Sequence, residues 1–360
     1  MRNIFLLIFF VFLGCKTENL KNNNIIVDLN KYSNVSFYDI FLKQEMIPLE
    51  TNSESLVREI SKIEVFKDNL YIWDYTLSTI FVFNNQGNYL YKLSKKGHGP
   101  GEYLDISDFF IQKEREEIWI LSAIEYCIHK YSLGMDYIGK IKLPKIDRCY
   151  KSMLQINQDT IAFWTFDYNK RMKYYSISQD NIFCEDFPEE RKDIFCRYEF
   201  FVGKNLCRAL TNQIYSVESG KTIPLYSWDF KQKNNKIADL DIPKKQNEVI
   251  KYGQDVYASR IVNYVFNLHG ANKKFKYAQL IIRNKYLNIF YDNDLKQSAL
   301  FEKTKENIAL YPIYWSDSYL ISSSEVFSIE DLFLENLDDK KCFFNEHEDH
   351  NPVLIKSYFK

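Results

Sequence analysis

The run from Asp68 to Tyr103 sets the tightest limit on what this chain can fold into. Leu70-Tyr71-Ile72-Trp73 and Ile80-Phe81-Val82-Phe83 are too densely apolar for strands with one wet face, so both predict strands covered on both sides. Residues 74–78 between them read as a loop. Asn84-Asn85-Gln86-Gly87-Asn88 then supplies residues that tolerate positive φ and closes a hairpin. Tyr89-Leu90-Tyr91-Lys92-Leu93 returns as a third strand whose alternation with polar residues suits an outer position. Gly97-His98-Gly99-Pro100-Gly101-Glu102-Tyr103 leads out of the unit.

The unit recurs along the chain. Glu117–Leu121 and Cys127–Tyr131 repeat the paired strands, and Tyr137–Ile141 repeats the outer one. A third copy lies at Thr160–Trp164 and Lys173–Ile177. A fourth runs around Ala209-Leu210, Gln213–Val217 and Pro224–Trp228. Later copies are Tyr264–Leu268 with Tyr277–Ile281, then Tyr286–Tyr291 and Tyr311–Trp315 with Ser318–Ile321. Repeated small antiparallel sheets with buried faces are the pattern of an all-β chain, the β-propeller, and a repeat of about 40–50 residues allows roughly six to eight blades. With 46% apolar residues, 28 Phe and 27 Tyr, the core can be large and strand formers dominate. Residues 183–200, rich in charge and cysteine, match the repeat poorly and read as an insertion.

The first residues form an address. Arg2 supplies a positive start, Ile4 to Leu13 is an unbroken apolar run too short to span a bilayer, and Gly14-Cys15 follows. This arrangement resembles a bacterial lipobox, which implies a signal peptide over residues 1–14 and lipid attachment at Cys15. Residues 15–30 read as a polar tether, and 31–360 as the propeller domain. Cys127, Cys149, Cys184, Cys196, Cys207 and Cys342 match no zinc or disulfide framework and read as free thiols on strands. With 47 basic and 48 acidic residues, the net charge of −1 supplies no field for nucleic acid.

Ile47-Pro48-Leu49-Glu50, Ile60-Ser61-Lys62-Ile63, Gly97 to Tyr103 and Asn351-Pro352-Val353-Leu354-Ile355 together resemble the six-bladed β-propeller lipoproteins of Bacteroidota, NHL/TolB-like propellers, over essentially the whole mature chain. The resemblance implies six blades of four antiparallel strands in a monomer anchored in the cell envelope at the outer membrane, its periplasmic or surface side left open. A closed ring also needs a partner for the late strand Pro352–Lys356, expected beside Glu45–Leu49, because an unpaired edge invites aggregation. Ser328 to Leu337 places apolar residues at helical spacing, with Ser328 as a cap, and predicts a short helix near the C-terminus.

The sequence names no chemistry. The glycine-rich exit lacks the lysine and hydroxyl of a phosphate loop and opens no helix, so it reads as a blade-to-blade connection. His98 and Lys96 on it, with Arg58 and Arg148 elsewhere, are the candidate ligand contacts. Glu346-His347-Glu348-Asp349-His350 lacks the spacing of a zinc helix and reads as surface charge. Trp73, Trp119, Trp164, Trp228 and Trp315 stand within predicted strands and read as core. No catalytic residue, metal ligand or cofactor is assigned. Two classes remain: a lipid-anchored module that binds a glycan, peptide or envelope protein, and a lactonase-like hydrolase or lyase with calcium or another metal in the central channel.

Overall fold

A computed structural model of the chain describes residues 23–167, 170–188, 199–241, 243, 246–324 and 350–360. These residues build six antiparallel sheets around a common axis. Blade 1 comprises Lys62–Phe66, Asn69–Asp74, Thr79–Asn84 and Tyr89–Leu93, and blade 2 comprises Asp108–Gln112, Glu117–Ser122, Cys127–Ser132 and Tyr137–Lys142. Blade 3 runs over Tyr150–Gln155, Thr160–Thr165, Lys170–Ser176 and Asn181–Pro188. Glu199–Val202, Asn205–Arg208, Gln213–Glu218 and Lys221–Asp229 make blade 4. Val265–Ala271, Phe275–Ile282, Lys285–Asp292 and Gln297–Phe301 make blade 5. The first strand of each blade lies innermost, against the first strand of its neighbour at most junctions.

Blade 6 closes the ring by joining the two ends of the chain. Pro312–Trp315 pairs with Tyr319–Ser324, which pairs with Val353–Phe359, which pairs in turn with Phe41–Pro48 as the outer strand. The register sets Met46 opposite Ile355, Ile47 opposite Leu354 and Pro48 opposite Val353, the pairing anticipated for the Asn-Pro-Val-Leu-Ile run. Pro48 costs no ladder bond at the end of an edge strand. Asn351, 2% exposed, locks the closure. Its amide nitrogen donates to the carbonyls of Glu50 (2.7 Å) and Ser55 (2.8 Å), its amide oxygen accepts from the Val57 N–H (2.7 Å), and its own N–H donates to Thr51 Oγ1 (2.9 Å).

The double coverage expected from the apolar strands follows from the stacking. Tyr71 joins the core between blades 1 and 2, with Phe109, Ile118 and Ile120, while its neighbour Ile72 joins the core between blades 6 and 1, with Ile321 and Leu354. Consecutive side chains point to opposite faces, so a strand between two blades must be apolar at every position. Trp73, Trp119, Trp164 and Trp228 are buried, and partly exposed Trp315 stacks on Tyr277 at 5.0 Å. Cys127, Cys149, Cys184 and Cys207 carry no disulfide; Cys149 lies in the connection before blade 3 and not on a strand, and Cys196 and Cys342 fall outside the described residues.

Three expectations need correction. Residues 183–200 are not one insertion: Asn181–Pro188 is the outer strand of blade 3 and Glu199–Val202 the inner strand of blade 4, with 189–198 outside the described residues. The charge of Glu185 is accepted there because Lys173, 2% exposed, reaches it and Asp167 (2.7 Å). Ala209-Leu210 lies in a turn, beyond the strand Asn205–Arg208. The folded body also takes in residues 24–30, placed above in the tether. Asn24–Ile26 adds a fifth strand to blade 4, parallel to Lys221–Asp229, and Ile25, Val27 and Leu29 bury themselves against Trp228 and Phe230. A helix not anticipated, Gln246–Tyr257, lies between blades 4 and 5, whereas the helix expected over 328–337 falls outside the described residues.

Candidate ligand-binding end of the ring

Strand direction sorts the loops onto two ends. At one end, tight turns join first strands to second and third strands to fourth: 67–68, 113–116, 156–159, 203–204, 272–274, 316–318, 85–88, 133–136, 177–180, 219–220 and 293–296. The other end carries the blade-to-blade connections, 49–61, 94–107, 143–149, 230–264 and 302–311. Blade 6 adds to this connection end, because Tyr319–Ser324 ends there and Val353–Phe359 begins there.

Arg58, Lys96, His98 and Arg148 are all exposed, and all four lie at the connection end, on three successive connections. The structure does not gather them to one point. Arg58 is held by its backbone: its N–H and that of Glu59 donate to the buried Asp74 carboxylate at 2.7 and 3.1 Å. Lys96 reaches Ser78 Oγ at 3.5 Å, and the Arg148 carbonyl accepts the Tyr126 hydroxyl at 2.9 Å.

The glycine-rich connection is a built turn and a plug. Gly99-Pro100-Gly101-Glu102 is a type II turn: the Glu102 N–H donates to the Gly99 carbonyl (3.1 Å), proline stands at the second position, and Gly101 takes φ +76° at the third. Glu102 folds back so that Oε2 accepts the Gly99 N–H (2.7 Å) and would lie 2.0 Å from a Cβ at Gly97. Tyr103, with no exposed surface, inserts between blades 1 and 2, where its hydroxyl donates to the carbonyls of Ser78 (2.9 Å) and Leu93 (3.2 Å). The motif therefore shapes a junction, and His98 rides on its outer side.

Sequence reasoning missed a cleft of about 230 Å³ where the 230–264 connection folds over blades 4 and 5. Asn235, Ile237, Leu240, Ile261 and Asn263 line it, with Leu210 at its base. Asn235 fixes its wall: the amide nitrogen donates to the carbonyls of Leu210 (3.1 Å) and Tyr264 (2.8 Å), and the amide oxygen accepts the Asn263 N–H (2.9 Å). The available signal was the long gap in strand pattern after Asp229, filled by polar residues with paired asparagines.

Around the axis, Asp108 braces three blades. Its carboxylate accepts from Lys62 Nζ of blade 1 (2.9 Å) and from the Met153 N–H of blade 3 (2.8 Å). Burial works against the charge on Lys62, but Asp108 and Glu64 outweigh it and raise its pKa above the ordinary lysine value. A second polar group lies between blades 1 and 2. His129 Nε2 is 2.8 Å from Glu125 Oε2 and 3.2 Å from Cys127 Sγ. Burial, with the Glu125 charge beside it, pushes the Cys127 thiol up to about 12, so it is no free nucleophile at neutral pH. Among the described residues this is the one group of three His, Cys, Asp or Glu side chains close enough to share a metal ion, and it lies off the axis. Of Glu346 to His350, only His350 is described.

Comparison with known proteins agrees with this architecture. A family model for the 6-bladed β-propeller (DUF5128) matches residues 15–323. A solved structure from Bacteroides fragilis NCTC 9343, described as an exported protein, superposes with a TM-score of 0.72 at 18% identity, covering 94% of this chain and 99% of its own. A member of the DUF4221 family from Bacteroides vulgatus superposes with a TM-score of 0.56 at 10% identity, covering 89% and 97% respectively. No curated protein sequence matches the chain.

Proposed function

Because this chain belongs to the six-bladed β-propeller family, whose fold hosts many activities, we propose from its own geometry that it is a lipid-anchored envelope protein that binds a glycan, peptide or envelope protein at its connection end. The observation that carries this reading is the direction of the first strand. Asn24–Ile26 runs parallel to Lys221–Asp229, which leads from the tight-turn end toward the connection end, and pairs with its last three residues, Ser227 to Asp229. The chain thus enters the body at the rim of blade 4, heading away from the tight turns. Extended at about 3.3–3.6 Å per residue, the stretch from Cys15 to Asn23 reaches roughly 30 Å at most. An acylated Cys15 would hold the blade 4 rim close to the bilayer with its tight turns inward and the long connections outward. Arg58, Lys96, His98, Arg148 and the 230 Å³ cleft then share the end that faces partners.

Photo-crosslinking residues at positions 58, 98 and 236 and, as a control, at the tight-turn position 114 test this in envelopes. Adducts with one glycan, peptide or protein should form from the first three and not from 114. Adducts from 114 alone would sink the reading. Cys15→Ala checks the anchor separately: it should abolish lipid labelling and leave the purified ring's ligand binding intact.

A further inference from the structure

Glu125, Cys127 and His129 take no part in the proposed binding end. We propose that they form a zinc site that fastens the glycine-rich connection to blade 2. Cys127 and His129 are two apart on the strand Cys127–Ser132, so their side chains leave on the same face, and Glu125 folds in from the preceding turn. A carboxylate oxygen, a sulfur and an imidazole nitrogen lie within 4.8 Å of one another.

Hydrogen bonding alone leaves this group short. A neutral imidazole uses Nε2 either to donate to Glu125 or to accept from the Cys127 thiol, never both, yet the same nitrogen faces both groups at 2.8 and 3.2 Å. A cation between the three donors would serve all of them. Zinc distances of about 2.0–2.3 Å place neighbouring tetrahedral ligands roughly 3.3–3.7 Å apart, so the two contacts of His129 Nε2, at 2.8 and 3.2 Å, would each lengthen by about half an ångström. Glu125 is the most exposed of the three, with 18% of its side chain exposed. Sulfur and imidazole donors select zinc over calcium or magnesium.

The surroundings say what such an ion would do. The Leu104 N–H donates to Glu125 Oε2 at 3.0 Å, the outer support usual for a metal-binding carboxylate, and Leu104 follows Tyr103 directly. The Tyr103 and Tyr137 rings stand 6.4 and 6.1 Å from the His129 ring and hold its orientation. Lys140 Nζ approaches the other oxygen, Oε1, at 4.0 Å and leaves Oε2 to the cluster. A bound ion would tie the plug between blades 1 and 2 to the strand beneath it.

The test uses the full chain in detergent, reduced, stripped with a chelator and titrated with zinc or cobalt(II). One zinc per chain should bind and raise the thermal midpoint, calcium should not, and cobalt should give a thiolate charge-transfer band. Glu125→Gln should weaken zinc binding about tenfold, and Cys127→Ser should abolish the band. Absence of zinc binding by the wild-type chain overturns the proposal, as does binding that Glu125→Gln leaves unchanged. The glutamine variant decides the matter if Cys127→Ser fails to fold.

Discussion

His269 sits between blades 4 and 5 with no exposed surface, its Nε2 bonded to the Tyr226 hydroxyl. Burial, aided by the nearby Lys276 charge, lowers its pKa to about 3. The folded ring therefore stays neutral where an unfolded histidine, titrating near 6.5, takes up a proton. Stability from this residue is complete above pH 6.5 and is lost as pH falls from there toward 3. Between pH 7 and pH 5 the loss should be about 2 kcal/mol, read from denaturant midpoints at each pH. His269→Gln should flatten that part of the profile even though it lowers stability overall. A variant with an unchanged slope would show that the unfolding of this junction is governed elsewhere.

At the scale of elements, the closure rests on the Asn351 side chain, which ties the last strand to the first connection through three hydrogen bonds, beside a fourth from its backbone N–H. Asn351→Ala leaves several of those partners buried and unmet, and should cost about 3 kcal/mol in equilibrium unfolding. A loss below about 1 kcal/mol would mean that strand pairing alone seals the ring. The closing strand and its partner were legible in sequence because a ring permits few places for a late strand to pair. Strands such as Leu70–Trp73 were legible because two covered faces demand unbroken apolar runs. Asn181–Pro188 was not, since an outer strand accepts charges that resemble a loop, and Asn24–Ile26 is too short to stand out beside three asparagines. The candidate contacts Arg58, Lys96, His98 and Arg148 were legible as loop residues, and only topology puts them on one end. Cys127 and His129 were hidden for the opposite reason: a spacing of two is also the period of the strand that carries them.

For the whole molecule, the ring has two unlike ends, and under the proposed function a lipid on Cys15 decides which one faces outward. Long connections, the cleft beside Asn235 and the candidate contacts Arg58, Lys96, His98 and Arg148 lie at one end, while the other is closed by short turns. The parallel entry of Asn24–Ile26 at blade 4 is the feature by which the proposed anchor would orient that asymmetry. Fluorophores placed singly at exposed Lys204, in a tight turn of blade 4, and at exposed Lys236, in its outgoing connection, measure this directly. With the lipidated chain in vesicles carrying headgroup quenchers, the fluorophore at Lys204 should be quenched strongly and the one at Lys236 weakly. Stronger quenching at Lys236 would place the connection end against the bilayer and contradict the account.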